Sequence, residues 1–216
     1  MNLHKFTFLA LLFAFFATLW GQTVNETRTF NAGYNGDTTV NNTGVRARVQ
    51  AYVLGGGGAG QAGIGVVGLK YTGSSGGGAG AAYLEFEVSG KTSINVIVGA
   101  GGLVDESSGV GGSGNFTSVK WNSRAIYAHA GQGGKTDFQG GINGCWNFEG
   151  SSTDVYTAGK CGERGSDGGS GDLRAVSNGG KAGWLTILGQ VWGGGLGATQ
   201  TQGADFGAGG RGGYPG

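Results

Sequence analysis

Apolar and polar residues alternate along several short stretches of the chain. In residues 45–54 the odd positions are small and apolar, whereas the even positions begin with Arg46 and Arg48. Glu85 and Glu87 are likewise flanked by Leu, Phe and Val. A period of two is typical of a strand with one buried face, and no segment of ten or more residues shows a helical period. The chain is therefore predicted to be all-β.

This alternation predicts seven strands, with glycine tracts between them. The predicted strands are Val24–Phe30, Val45–Leu54, Ala82–Val88, Ser93–Val98, Phe116–Trp121, Ala125–His129 and Trp184–Val191. The glycine tracts cover residues 55–68, 73–80, 99–114, 131–144, 159–183 and 193–213.

The tracts admit two interpretations. A single glycine stretch is usually a flexible linker. Several tracts that each adjoin a strand favour ordered packing, because polyproline II segments without side chains can lie side by side and form hydrogen bonds through their peptide groups. We expect polyglycine II packing, with loose loops as the alternative.

Composition excludes two other uses of glycine. The chain has 53 glycines but one proline and no Gly-X-Y period, so it is not collagen. Aromatic residues make up 11% and hydrophobic residues 38%, which is more than a disordered chain usually carries. Part of the chain should therefore fold around a core.

The N-terminus is typical of a secretory signal peptide. Lys5 precedes the apolar run FLALLFAFFATLW, which is short for a membrane span. We expect cleavage after Gly21, with retention as an anchor as the alternative. The predicted organisation is a signal peptide at residues 1–21, an N-terminal strand segment at 22–44 and one glycine-rich β domain at 45–216, in a secreted, extracellular protein.

Charge argues against two classes of partner. Removing Lys5 from 14 Lys+Arg leaves 13, which equals the 13 Asp+Glu. A neutral chain without basic clusters has no electrostatic footprint for nucleic acid or for an anionic membrane. We expect no nucleic-acid partner, and no membrane partner after leader removal.

The two cysteines predict a disulfide. Cys145 and Cys161 form an even count in a chain predicted to reach an oxidising compartment. A bond closing this loop contributes about 3 kcal/mol in the chain-entropy model. Zinc binding is the weaker alternative because further Cys or His ligands are lacking.

The strand and glycine pattern resembles a known family. YVLGGGGAG, GGGAGAAYLEFEV, SINVIVGAGG, GVGGSGNFTSV and AHAGQGG follow one another as in the glycine-rich domain of bacteriophage tail-fibre adhesins and related secreted proteins. The likeness spans roughly Arg28 to Gly141. It implies a β-sandwich or jelly-roll-like sheet core with glycine-rich loops or polyglycine II stacks, at an exposed tip or along a fibre.

One departure from that pattern suggests self-association. No apolar strand follows the last glycine tract, so a sheet edge is expected to be open. We hypothesise that residues 22–30 of a neighbouring subunit fill this edge and build a filament. A short exposed edge, or closure by Trp184–Val191, is the alternative.

Sequence motifs for catalysis and metal binding are weak. Gly73-Ser74-Ser75-Gly76-Gly77 spells a nucleophile elbow but lacks a following helix, and His129 is the one histidine outside the leader. Asp167 and Asp172 resemble half of a calcium repeat. The carboxylates of Glu85 and Glu87 are better explained as charges on a solvated face. We predict a non-enzymatic protein without cofactor or metal.

The sequence also suggests surface residues. Candidate binding-loop aromatics are Trp146, Phe148, Tyr156 and Phe206, although packing around the disulfide explains Trp146 and Tyr156 better. The sequons at Asn25, Asn41 and Asn115 are glycosylation candidates.

Two function classes follow from these features. The leading hypothesis is a structural subunit of an extracellular filament, and the second is a module that binds glycan or a cell-surface receptor. Ice binding is a third, because flat polyglycine II bundles occur in some antifreeze proteins, although regular Gly-x-x triplets occur here only in patches.

Overall fold

A computed structural model of the chain describes residues 26–66, 69–135, 137–170, 179–187, 190–193 and 208–210. In this part every regular element is a strand, so the all-β prediction is confirmed. The strands are β1 (Asn35–Leu54), β2 (Ile64–Val66), β3 (Leu69–Thr72), β4 (Ala81–Ile97), β5 (Thr117–Trp121), β6 (Arg124–Ala128), β7 (Trp146–Glu149), β8 (Val155–Lys160), β9 (Gly169–Ser170), β10 (Trp184–Ile187) and β11 (Gln190–Gly193).

The prediction of an N-terminal strand at Val24–Phe30 is wrong. Residues 26–30 form no strand ladder, and residues 24–25 lie outside the described part. β1 begins instead at Asn35 and ends at Leu54, with one irregularity between Asn42 and Arg46. Its first half, NGDTTVNNTG, has Val40 as its one apolar side chain, so its sequence shows no alternation. Long-range pairing with β4 makes it a strand.

Other strand boundaries also differ from the prediction. β4 joins the predicted strands Ala82–Val88 and Ser93–Val98 into one strand of 17 residues. The predicted strand Trp184–Val191 is a hairpin of β10 and β11, and residues 188–189 lie outside the described part. β7 and β8 were not predicted, because both are short and interrupted by polar residues.

The larger sheet has six strands, in the order β1-β4-β5-β6-β7, with β8 also paired to β4. β1 occupies one edge of β4 along its whole length. On the other edge, β8 pairs with residues 81–86 and β5 pairs with residues 95–97. β10 and β11 form a separate sheet, so Trp184–Val191 does not close the larger one.

A bend divides this sheet into two layers. The β1–β4 register shifts between Asn42 and Arg46, opposite Gly90, which has a φ of 71°. The β4–β5 register, continued by one residue, places Trp121 opposite Ile94. Ile94 is eight residues after Phe86, so in a straight strand these two residues would lie about 26 Å apart. The rings of Phe86 and Trp121 nevertheless stack with centroids 4.1 Å apart. The sheet therefore folds back on itself as a sandwich.

The core lies between these two layers. It is formed by the inward faces of β1, β4, β5 and β6, with partly buried residues of β7 and β8 packed against it. The buried core residues are Val53, Ala82, Leu84, Phe86, Val88, Ile94, Val96, Val98, Val119, Trp121, Ile126 and Ala128.

The described parts of the glycine tracts pack into an ordered body, here called the glycine bundle. The N–H groups of Gly55, Gly58 and Gln61 donate to the carbonyl oxygens of Gly80, Gly77 and Ser74 at 3.1, 3.0 and 2.7 Å, respectively. The donors are three residues apart, which is the repeat of a polyproline II helix. None of the glycines at these bonds has a positive φ, so the helices are left-handed.

The segment 73–80 lies at the centre of the bundle. All of its residues are buried. It is hydrogen-bonded to six other stretches, which are residues 55–61, 129–132, 141–144, 163–166, 180–183 and Gly210. Six neighbours around one rod is hexagonal packing, so this part of the chain adopts the polyglycine II arrangement and not the loose-loop alternative.

At particular glycines of the bundle, neighbouring backbone leaves no room for a side chain. An added Cβ on Gly76 or Gly78 would lie within 3.0 Å of the carbonyl oxygen of Gly58 or Lys181, respectively. Real Cβ atoms essentially never approach backbone so closely. Glycine is therefore required here for close approach and not for flexibility.

The disulfide joins the sheet to the bundle. Cys145 precedes β7 and Cys161 follows β8, and the structure links the two, as predicted. Beside the bond, Gly162 N–H donates to Gly144 O at 2.9 Å. The bridge therefore holds two neighbouring glycine segments at the point where they leave the strands.

Candidate functional site

Within the part of the chain that the structure describes, the outer edge of β1 is open. Among the described residues, β4 is the only strand that pairs with β1, which is 20 residues long. The inward side chains of Val40, Ala47, Val49 and Ala51 pack against the core but remain partly exposed. An edge that leaves backbone groups unpaired and core residues incompletely covered is a template for another strand. We call this surface the β1 edge.

The direction of the backbone groups along the β1 edge follows from the ladder. Gly55 N–H points toward β4, because it donates to Gly80 O at 3.1 Å. The carbonyl oxygen of Leu54 points away from β4 and accepts the Thr117 hydroxyl at 2.6 Å. Peptide groups alternate in antiparallel strands, so the N–H groups of Gln50 and Tyr52 also point away from β4.

The N-terminal segment touches the first half of the β1 edge through a side chain. Arg28 donates to the hydroxyl of Thr38 and to the carbonyl oxygen of Thr39, the latter at 3.3 Å. It also pairs with Glu26 at 2.6 Å, and this hydrogen bond and charge lower the pKa of Glu26. A guanidinium placed over an edge carbonyl hinders strand pairing there.

Aromatic packing anchors the same segment. The rings of Phe30 and Tyr34 lie 4.7 Å apart, and both contact the core cluster. Gly33 N–H donates to Val98 O at 2.9 Å, whereas residues 26–30 make no backbone hydrogen bond to β1 within the described part. The segment is thus held beside β1 without a ladder.

The predicted binding-loop aromatics lie on strands where the structure describes them. Trp146 and Phe148 belong to β7 and pack against the core, and Phe206 lies outside the described residues. The loop prediction is wrong for these two because their strand was not recognised. Trp146 covers Gly159 beside the disulfide, as the packing interpretation predicted.

Tyr156 differs from the other aromatic candidates. It belongs to β8, not to a loop, and is 56% exposed, with its ring edge against Tyr83 at a centroid distance of 5.9 Å. Packing around the disulfide therefore does not explain it.

The sequons differ in exposure. Asn41 in β1 and Asn115 before β5 are exposed, and Asn25 lies outside the described residues. Thr117 of the third sequon is buried, with its hydroxyl bound to Leu54 O and to the N–H of Gly99. Glycosylation of Asn115 therefore remains a prediction that requires attachment before this strand folds.

The residues that resemble catalytic groups make hydrogen bonds that stabilise the fold. Ser74 is fully buried, and its hydroxyl lies 3.0 Å from Gln61 Oε1 and 3.3 Å from Lys135 O. This hydroxyl lies inside the bundle, which does not fit a nucleophile elbow. The carboxylate of Asp105 accepts the hydroxyls of Ser107 and Ser108, which lowers its pKa to about 2. It closes a turn.

Glu85 belongs to a hydrogen-bonded cluster on the outer face of β1 and β4. It accepts Gln50 Nε2 at 3.0 Å and Tyr83 OH at 2.7 Å, and pairs with Arg48. These hydrogen bonds, the one from Gln50 first, lower the pKa of Glu85. Burial is the main cause that raises the pKa of Tyr83. The charges on this face are paired with each other.

The described residues present neither a metal-binding cluster nor a membrane-spanning helix. No group of three His, Cys, Asp or Glu side chains suited to a metal occurs among the described residues. Asp167 accepts hydrogen bonds from Gly140 N–H and Arg164, whereas Asp172 lies outside the described part. Within those same limits, no helix has the length and apolar character to cross a bilayer. The predicted leader at residues 1–21 is outside them.

An open groove lies where the sheet meets the glycine bundle. Its volume is about 510 Å³. Its lining contains no Asp, Glu, Lys or Arg. The lining consists of Ser113, Gly114, Asn115, Phe116, His129, Ala130, Gln132, Asn143, Gly144 and Cys145. Because three carboxamides line it, we call it the amide groove.

The sequence contained a signal for the amide groove that the strand analysis missed. Asn115 and Gln132 each follow a glycine, and Asn143 precedes one, inside or beside a glycine tract. The structure places all three at the bundle surface, where Asn115 and Gln132 are exposed and Asn143 is partly exposed. Position in a tract does not determine this alone, because Gln61 in the tract 55–68 is buried against Ser74.

No protein-family model matches the chain, and no curated protein is significantly similar to it.

Proposed function

We propose that this protein is a secreted, non-enzymatic structural subunit of an extracellular filament, and that copies join through the β1 edge. The observation that carries the proposal is the 20-residue strand that pairs on one side only among the described residues. Its partner is the N-terminal segment, residues 22–30, of a second copy. The rigid glycine bundle supports the proposal, because a filament needs subunits that hold their shape.

The intramolecular contacts suit an exchange of this segment between copies. In its own chain, the segment is held by Arg28 and Phe30 side chains without a ladder. Moving to the β1 edge of a neighbour costs few backbone hydrogen bonds and gains a new ladder that includes the N–H of Gln50. Because the edge and the donated segment are different surfaces, the contact is head to tail and extends into a filament.

We expect the Gln50→Pro variant to lose assembly. Gln50 N–H points away from β4, so proline removes a donor needed by an added strand while the β1–β4 ladder remains. Gln50→Ala is the matched control, since it keeps the N–H and loses the same side-chain bond to Glu85. Deletion of residues 22–32 should also abolish filaments, as seen by negative-stain electron microscopy of protein whose folding is checked by circular dichroism.

The native chain and Gln50→Ala are expected to form filaments. Single particles from the native chain at high concentration contradict the proposal. Filaments from the deletion variant show that another surface makes the contact.

The second candidate function is a glycan-binding module. The amide groove is the observation that favours it, because the groove presents neutral polar groups and an aromatic side chain on a rigid support.

A further inference from the structure

The amide groove presents hydrogen-bonding side chains without internal partners. No hydrogen bond within the described residues uses the side-chain amides of Asn115, Gln132 or Asn143. Each carboxamide has two N–H donors and a carbonyl acceptor. Three such groups around one groove match a ligand whose surface carries hydroxyls, since each hydroxyl both donates and accepts.

One side of the groove is aromatic. Phe116 is 42% exposed, and its position is held by an edge contact with Tyr127 at a centroid distance of 5.9 Å. The His129 ring is fixed by a 2.7 Å hydrogen bond between Nε2 and Asn147 Oδ1. An exposed aromatic face supplies apolar contact at low entropic cost, which suits the C–H face of a sugar ring.

The floor of the groove is rigid. Gly114 N–H donates to Gly131 O at 3.1 Å, Gly144 N–H to Gly78 O at 2.8 Å, and His129 N–H to Cys145 O at 2.7 Å. The disulfide of Cys145 fixes the same floor. A site whose backbone is already ordered loses little entropy when a ligand binds.

The charged side chains near the groove indicate whether a charged or a neutral ligand would bind. The neighbouring charged groups, Lys120 and Glu149, are of opposite sign and both contact Tyr127, through the ring face at 5.4 Å and the phenol OH at 3.2 Å. They lie outside the groove lining. Neither an anionic nor a cationic ligand is therefore favoured.

We propose that the amide groove binds a neutral oligosaccharide. The sugar hydroxyls pair with the amides of Asn115, Gln132 and Asn143, and one sugar face packs on Phe116. This inference rests on the second candidate function, glycan binding, and names its site and its ligand class. It is independent of filament formation.

The test is calorimetric titration of the full chain with neutral hexasaccharides. The probes are cellohexaose, chitohexaose, laminarihexaose, maltohexaose and mannohexaose, with a hyaluronan hexasaccharide as the charged control. The protein comes from a host that adds no N-glycan, so Asn115 is unmodified. We expect at least one neutral probe to bind with a Kd of about 0.1–1 mM, and Phe116→Ala and Asn143→Ala each to weaken it at least about tenfold.

Tyr156→Ala is the matched control, because Tyr156 is an exposed aromatic residue on the outer face of β8. It should leave the Kd unchanged, and melting curves should show that all three variants fold. If Tyr156→Ala loses binding and Phe116→Ala does not, the amide groove is not the binding site, although the protein still binds glycan. Absence of binding by every neutral probe overturns both, as does equal binding of the charged probe.

Discussion

Replacing Gly78 with alanine should lower the free energy of unfolding by about 3 kcal/mol or more. The added Cβ would lie within 3.0 Å of the carbonyl oxygen and carbon of Lys181. These are backbone atoms of a neighbouring rod, so they cannot move aside as a flexible side chain does. Gly78 also donates to Glu163 O and accepts from Gly144 N–H, and displacement breaks both bonds.

The matched control is Gly101→Ala, in the glycine tract that follows β4. Gly101 is exposed, and the nearest atom to its added Cβ is Gly57 O at 3.7 Å, an ordinary contact. We expect a change within about 0.5 kcal/mol. Urea unfolding of both variants measures the difference. Equal midpoints would mean that the glycines are not close-packed.

Trp121→Ala should be the most damaging substitution in the sheet, with a loss of about 3–5 kcal/mol. Trp121 is 3% exposed, stacks on Phe86 and lies 6.2 Å from the ring of Phe148. Because Phe86 and Trp121 belong to different layers, this side chain fills the space that the bend creates. Its removal leaves a cavity between the layers.

Trp184→Ala is the control, since Trp184 is 43% exposed and contacts Lys160 through its ring face at 5.0 Å. A loss of less than about 1 kcal/mol is expected from this exposed contact. Guanidinium unfolding followed by far-UV circular dichroism compares the two. Similar losses of unfolding free energy in the two variants would mean that Trp121 does not lie in a core between two layers.

Strands with one clearly buried face were predictable from the sequence. The second half of β1, both halves of β4 apart from its middle, and β5 and β6 were predicted because apolar and polar residues alternate there. The first half of β1 is an edge strand whose one apolar residue is Val40, so its local pattern is that of a loop. Only the register opposite residues 90–97 of β4 defines it as a strand.

The bend and the bundle depend on long-range contacts. A local pattern does not show that Gly90 interrupts a ladder and turns one sheet into two layers. Ordered glycine packing was favoured by the number of tracts, but the neighbours of each tract were not predictable. For example, Gly58 N–H donates to Gly77 O, and Gly77 N–H donates to Gln132 O, so these hydrogen bonds connect three different tracts.

The functional surfaces were predictable in part. An open sheet edge was expected, and β1 is such an edge among the described residues. The aromatic candidates were chosen for residue type, which does not distinguish Trp146 in a core from Phe116 at a surface. The amides of the groove were not predictable from residue type either, because Gln132 in one glycine tract is exposed whereas Gln61 in another is buried.

Native-state hydrogen exchange tests most directly whether glycine here is a close-packed structural material. The amides of Gly58, Gly77 and Gly78 donate within the bundle at 3.0, 2.9 and 2.9 Å. We predict that they exchange as slowly as core amides of β4, near the global unfolding limit. Exchange of these three amides at the rate of an unstructured peptide, while β4 stays protected, would contradict the ordered bundle.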